Sequence, residues 1–427
     1  MTLRSITRMP MSTDERFAST STIHPYKITA TLYIVGWTFA VWDAAVIRSP
    51  AHAAILALGG ATLILAPRRA VAKIRFPLPL VPIFAWAIAS RGWTTDQRLF
   101  SAELVGHILD AVVITCVAAV LPFKTLVRIL LNSFYAMSAF TWLYSLTHSD
   151  ARVLIAGTER FWSWHGSFVH KNTMLEYLAF GICAVVVFET RVKVRRVAIV
   201  NTALLILASH SSTGLATMGV LVAFWMWIDR YGRKPIGRRA RYLLSSMVVA
   251  CVALVLGIIS IPVLTGAVGK DATFSGRTKI WSASWWAIQR EPWQGYGLGG
   301  LFNSNTAITE AIIERVGFKV PHAHNGVVEI VLELGVVGLV AFIIYLIPLM
   351  VRGWRFVADG QPEGIWILMI VVGQLFISIS EPTYLLGFFS AIGLLYGATA
   401  RQASDTRMAS SVICQPPEHP SPVRAEP

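Results

Sequence analysis

Charge is scarce in this chain of 427 residues. Asp, Glu, Lys and Arg make up 14% of it, against about 25% in a soluble domain. With 55% hydrophobic residues and a mean hydropathy of +0.59, that shortage excludes an ordinary soluble enzyme and a disordered chain. Cysteine is scarcer still. Cys116, Cys183 and Cys251 lie in apolar runs and Cys414 in the C-terminal tail, which excludes a disulfide framework and any zinc-finger spacing. No internal repeat recurs along the chain, so a transporter built from two matching halves finds no support.

What the sequence has is long apolar runs. Twelve fall at 28–47, 50–66, 77–90, 104–121, 126–147, 172–190, 197–210, 213–228, 243–264, 326–351, 364–380 and 384–400. A helix crossing the hydrocarbon needs about 20 residues. The expectation is therefore an all-α, polytopic membrane protein of about 12 transmembrane helices, with a large outer loop at 265–325 between spans nine and ten. The short runs 197–210 and 213–228 read either as a hairpin of half-length helices meeting at Ser209–Gly214 or as two ordinary tilted spans. Residues 1–27 form a polar N-terminal segment with no small-residue cleavage site, so no removed signal peptide is expected. Residues 28–400 form the membrane domain. Residues 401–427, rich in Pro and Ser, are expected to be disordered.

The net charge of +14 points to anionic lipid rather than nucleic acid, because basic residues in membrane proteins gather in cytoplasmic loops. With the N-terminus inside, 25 of the 37 Lys and Arg fall on the cytoplasmic side, 6 in short outer loops and 6 in the long loop. Both termini are thus predicted to be cytoplasmic. The largest hydrophilic segment faces outward, in the C-terminal third, which favours an enzyme working at the outer face.

Chemistry-bearing residues gather on that side. The long loop carries SGRTKIWSASWW, in which Ser275 is placed to cap a helix with Ile280, Trp281, Ser284, Trp285 and Ile288 along one face. Such a Trp-rich face reads as a helix lying in the membrane interface. Gly295–Gly300 is glycine-rich, but no strand precedes it, so it is not a nucleotide loop. The loop ends in VPHAHNGVVEI. There His324 stands at the membrane boundary, Asn325 can cap span ten, and Glu329 lies one turn further on. A neutral imidazole can take a proton from a sugar hydroxyl, and position alone does not separate His324 from His322. The outer loop before span six ends in His170, Lys171 and Asn172, with Glu176 one turn inside. A lysine at a helix N-terminus opposes the helix dipole and suits a bound anion such as phosphate. Glu381-Pro382 breaks the chain between spans eleven and twelve at the outer face, within reach of the cavity expected around His324. Asp43, His107, Asp110, His210 and Glu333 are further ionisable groups within the apolar runs.

Three patterns resemble the O-antigen ligase and exopolysaccharide polymerase family: G-x-F-x-H-K-N at Gly166–Asn172, R-x-x-x-W at Arg277–Trp281, and H-N followed by a helix reaching Gly335. The last resembles the pattern H-[SN]-x-x-L-x6-G, with Val328 where leucine is usual. The likeness covers roughly spans six to twelve, and H-K-N looks more like the exopolysaccharide-polymerase branch. Relatives often carry an Arg or Lys in the break between spans seven and eight, where this chain has Ser209-His210-Ser211-Ser212. That cation's task would then pass to His210, Lys171 or Lys279.

The resemblance implies a GT-C-like fold in a bacterial inner membrane and a donor glycan carried on undecaprenyl diphosphate. Diphosphate leaves without a protonating acid, so the facing carboxylates of glycosidases are not required. A base and diphosphate-holding cations are. His324 is the candidate base. Arg277, Lys171, His170, Asn172, Asn325, Glu329 and Glu381 are the candidate substrate-binding residues. No metal or other cofactor is expected, and polysaccharide export or chain-length proteins are the candidate partners. The rival readings are ligation of glycan to lipid A core and, in another class, a lipid-linked glycan flippase. The topology has a direct check: a cysteine at Asn305 should react with an impermeant reagent in intact spheroplasts. Labelling only after lysis would invert the assignment.

Overall fold

Backbone buried in lipid has no water to bond, so an open chain satisfies its amides there by forming helices. The computed structural model describes residues 24–40, 50–72, 74, 77–104, 108–152, 163–168, 170–235, 237–246, 277–302, 304–381 and 390–399, and all regular structure among the described residues is helical. The main helices among the described residues are Pro25–Ala40 (α1), Pro50–Leu65 (α2), Leu80–Ala89 (α3), Gln97–Leu104 (α4), Asp110–Val120 (α5), Phe123–Thr147 (α6), Lys171–Phe188 (α7), Val192–Ala208 (α8), Ser212–Gly232 (α9), Arg277–Ile288 (α10), Ala307–Val316 (α11), Gly326–Ala358 (α12), Pro362–Ile377 (α13) and Ser390–Thr399 (α14). Of these, α6, α7, α9 and α12 are long and apolar enough to cross a membrane. Asp43, His107, Ser275, Pro382, most of the ninth run, residues 265–276 and the tail lie outside the described residues.

Helix α7 is the axis of the bundle. It buries Met174, Leu175 and an unbroken stretch from Tyr177 to Val185, and a helix apolar all round must be enclosed by others. Its neighbours are α6, α8, α9 and α13. The face that α6 turns inward carries Ser133, Ser138, Thr141 and Ser145 among its larger apolar residues, and small residues of this kind let membrane helices approach closely. Helices α8 and α9, at 17 and 21 residues, are longer than the sequence suggested. The half-length hairpin is therefore set aside in favour of two full helices. The basic run Arg191–Arg196 lies mostly in the first turns of α8 rather than in a loop.

Helices α12 and α13 form an antiparallel hairpin. Gly364 fits there because a Cβ would approach the carbonyl of Gly353 to 2.5 Å. At the open end of this hairpin the Gly326 amide donates to the Ser378 carbonyl (2.7 Å), and Asn325 Nδ2 donates to the Ile379 carbonyl (3.1 Å). Two chain segments distant in sequence are thereby fixed side by side.

The tenth span departs from expectation. It is broken at Gly335, whose backbone (φ 66°, ψ −172°) is not helical and suits glycine alone. The carbonyls left over by the break are met from outside the helix. The Tyr296 and Gly297 amides donate to Leu332 and Glu333, both at 2.8 Å, and Trp86 Nε1 donates to Leu334 at 2.8 Å. Beyond the break, the Val336 amide donates to Pro292 (2.8 Å). The segment Pro292–Gly297 thus acts as a strap laid across an opened helix.

Residues 277–334 gather over this strap around their own core of Ile280, Ala287, Leu301, Ile312, Val320 and Leu332. The expected interfacial helix is corrected accordingly. In α10, Ile280, Ser284 and Ile288 face this core, Trp281 is half-buried with Nε1 donating to the Ala323 carbonyl (3.0 Å), and Trp285 of that stripe is 60% exposed. Gly335→Ala should be destabilised by about 2 kcal/mol or more, because a Cβ would overlap the Trp293 carbonyl and the φ is positive. Thermal unfolding in detergent reads this directly, with Gly219→Ala as the neutral control, since nothing lies near its Cβ position. Equal melting temperatures for the two would remove the break from the fold's requirements.

Candidate functional site

The hairpin's open end and the N-terminus of the axial helix meet at one carboxylate. Glu381 follows α13 through a tight turn in which its amide donates to the Ile377 carbonyl (3.0 Å), and the residue is 5% exposed. Three elements converge on it. Arg277, the first residue of α10, donates through Nη2 to Oε1 at 2.9 Å, and Asn172 Nδ2 donates to the same oxygen at 2.6 Å. His324 Nδ1 stands 3.7 Å from Oε2. That is ion-pair distance with no hydrogen bond closed, and Nδ1 has no other hydrogen-bond partner.

Each partner is fixed by its own local structure. Asn172 lies in the first turn of α7. There the His170 side chain caps the helix, Nδ1 accepting from the Asn172 amide (3.2 Å) as an N-cap should. Ser211 caps α9 by accepting from the Gly214 amide, and its hydroxyl donates to Asn172 Oδ1 (3.3 Å). Asn325 caps α12 by accepting from the Val328 amide (3.1 Å). Glu329, expected to touch substrate, instead turns back to accept from the Ala323 amide at 2.6 Å and is buried. It braces the loop that carries His324.

His324 is held in an unusual conformation. Its φ of 52° is left-handed, as is His210's 48°, a region that costs a non-glycine residue about 1–2 kcal/mol. The surroundings impose it: Asn325 begins the helix, Glu329 pins Ala323, and the His324 amide donates to His322 Nδ1 (3.3 Å). His322 belongs to the same cluster, its ring 4.0 Å from that of His324. Sequence reasoning left the two rings unseparated. The alternation H-A-H before a helix cap was the signal that both imidazoles would crowd one turn.

The electrostatics follow from this crowding. Burial pushes the Glu381 carboxyl up, but contact with His324 and the charges of Arg277 and His322 outweigh it, holding the group below its ordinary 4.5. Burial and the neighbouring His324 press the His322 imidazole down to about 4, so it is neutral at physiological pH. His322, His324 and Glu381 bring three metal-capable atoms within 4.8 Å of one another. The structure therefore unites His324, Arg277, Asn172 and Glu381 directly and places His170 and Lys171 at the adjoining helix start. Asn325 and Glu329 serve as supports. His210 is exposed beside Ser211, at the rim of the same cluster, and Lys279 lines a separate cleft with Arg315.

Residues 197–343 match a family model described as O-Antigen ligase. The chain is also 27% identical over 252 residues to the exopolysaccharide production protein ExoQ of Rhizobium meliloti (strain 1021), an alignment covering 54% of this chain and 56% of that protein. The chain thus spans about half the length of the curated relative it matches. The family match includes Arg277, His322, His324 and Glu329, while Asn172 and Glu381 fall outside it.

Because Glu381 titrates below 4.5 in the fold, its charge stabilises the native state fully above that value. The contribution is lost as pH falls through the depressed native value. Glu381→Gln should accordingly melt at a lower temperature than the parent at pH 7, with the gap closing as the medium is acidified. A gap that stays constant down to strong acid would show that the carboxylate's charge stabilises nothing.

Proposed function

We propose that the chain is a membrane polysaccharide polymerase of the O-antigen ligase family, a reading supported by the match of residues 197–343 to that family's model. It joins oligosaccharide repeats carried on undecaprenyl diphosphate at the periplasmic face of the bacterial inner membrane. The observation that carries this reading is the single buried carboxylate shared between Arg277 and His324.

A carboxylate facing Nδ1 favours the tautomer with its proton there, which leaves Nε2 free to accept. His324 Nε2 then takes the proton of the acceptor hydroxyl while that oxygen bonds to the anomeric carbon. The bond from that carbon to the diphosphate breaks, and its electron pair leaves with the phosphate. One displacement inverts the anomeric centre. Arg277, partly exposed beyond its contact with Glu381, offers its remaining guanidinium donors to the departing diphosphate, a geometry that suits phosphate oxygens. Lys171, at the adjoining helix start, adds a second cation, and His210 stands where relatives carry Arg or Lys. The reaction as proposed uses no metal, because Arg277 already neutralises Glu381.

His324→Ala should give a stable, inserted protein that makes little long-chain polysaccharide and lets lipid-linked single repeats accumulate. A general base contributes about 10²–10⁴-fold, so the loss should be severe. His322→Ala should lose far less. Normal polymer from His324→Ala would defeat the base assignment. A deletion strain that keeps full-length polymer but attaches none to lipid A core would replace polymerisation by ligation. Arg277→Lys should also lose most polymer at equal protein level, because an ammonium cannot form the two-pronged grip. A chelator should leave the yield unchanged; a loss restored by added zinc or manganese would instead make the two histidines and Glu381 metal ligands.

A further inference from the structure

Helix α10 presents a second polar face away from Arg277. Successive helical residues turn by about 100°, so Lys279 points nearly opposite to Arg277. Lys279, Ser282, Ala283 and Trp286 recur at i, i+3, i+4 and i+7 and form one stripe. With Thr278 and Arg315, from the last turn of α11, this stripe lines a cleft of about 530 Å3. That exceeds the ~300 Å3 at which ligand pockets begin. Among the described residues, two cations and two hydroxyls line it and no carboxylate does.

The cleft is braced around a ring. The Arg315 guanidinium carbon stands 3.5 Å from the centre of Trp286 and that of Arg290 stands 3.7 Å from it. Two guanidinium groups at that height would overlap on one face, so they take opposite faces. Trp286 therefore has no face free for stacking on a sugar. Its task is to hold the Arg315 guanidinium in place, helped by the bond from Arg315 Nη1 to the Ala311 carbonyl (3.2 Å). A guanidinium fixed in advance loses little freedom when it grips a carboxylate or phosphate. Lys279 across the cleft is an exposed point charge on a flexible stem, and Ser282 and Thr278 supply hydroxyls of the kind that meet a sugar's own.

We propose that this cleft is a subsite for an acidic segment of the glycan. A carboxylate or phosphate on a sugar lies between Arg315 and Lys279, and the ring hydroxyls of that sugar meet Ser282 and Thr278. The inference rests on the reading of the chain as a glycan-joining enzyme and adds the substrate class: a polysaccharide bearing negative charge. Arg277 and Lys279 share one helix, so a single rigid element spans the reacting end of the glycan and its charged body.

The test is equilibrium binding of fluorescein-labelled hexagalacturonate to the full-length protein in phosphatidylcholine nanodiscs, read by anisotropy. Saturable binding should weaken with added salt, and neutral maltohexaose should fail to compete. Lys279→Gln/Arg315→Gln should lose about tenfold or more in affinity, while Lys319→Gln, exposed nearby but outside the cleft, should bind like the parent. Lys279→Gln alone, at an exposed position, should lose about threefold and keeps the test open should the double variant fail to insert. Unchanged affinity in these variants, or equal competition by maltohexaose, would overturn the subsite. So would phosphatidylglycerol vesicles that bind through Lys279 and Arg315 while hexagalacturonate does not, since the cleft would then take a lipid headgroup. His324→Ala should bind the probe like the parent. A His324→Ala protein that still polymerised would defeat the catalytic reading and leave the probe result standing.

Discussion

A carboxylate that is 5% exposed stays ionised only if other groups replace the water it gave up. That requirement organises this end of the bundle. Arg277 comes from the cap of residues 277–334, Asn172 from the axial helix and His324 from the turn before α12, and all three meet Glu381 at the end of α13. Asn172 in turn takes a bond from Ser211 at the start of α9. Helices α7 and α10 thus contribute partners to the carboxylate, and the start of α9 contributes a partner to one of those partners.

Helix ends do most of this positioning. His170, Ser211 and Asn325 each sit just before a helix and satisfy one of its free amides, and Ser211 and Asn325 also reach a neighbour of the site. The same side chain that starts a helix therefore sets where a member of the cluster stands. An asparagine at 325 does this twice, since its oxygen caps α12 and its nitrogen ties that helix to the turn carrying Glu381.

The apolar runs were legible because period and length report directly on burial in lipid. The H-N and H-K-N segments were legible because residues that cap helices at a membrane boundary carry a recognisable chemistry. Glu381 was noticed as an outer-face acid beside a proline, but its central place depends on α13 returning antiparallel to α12, which no local pattern encodes. Glu329 was read as a substrate-binding residue, and in the structure its carboxylate accepts from the Ala323 amide. Its spacing from His324 suggested a shared face, whereas a free amide at Ala323 drew its side chain backward. The glycine-rich stretch after Trp293 was read only as not being a nucleotide loop, and its partner in the structure is a helix some forty residues further on.

That last pairing binds the two halves of the molecule into one cooperative unit. In a chain with an outer cap and a membrane bundle, the cap would ordinarily be free to unfold by itself, as the less stable foldon. Here, peeling Pro292–Gly297 away would strip partners from the Leu332 and Glu333 carbonyls and the Val336 amide at the point where the helix enters an apolar environment. Local opening of the cap therefore carries the penalty of opening the span beneath it. A site built across the two, from Arg277 above to Glu381 below, keeps its geometry as long as the bundle itself remains folded.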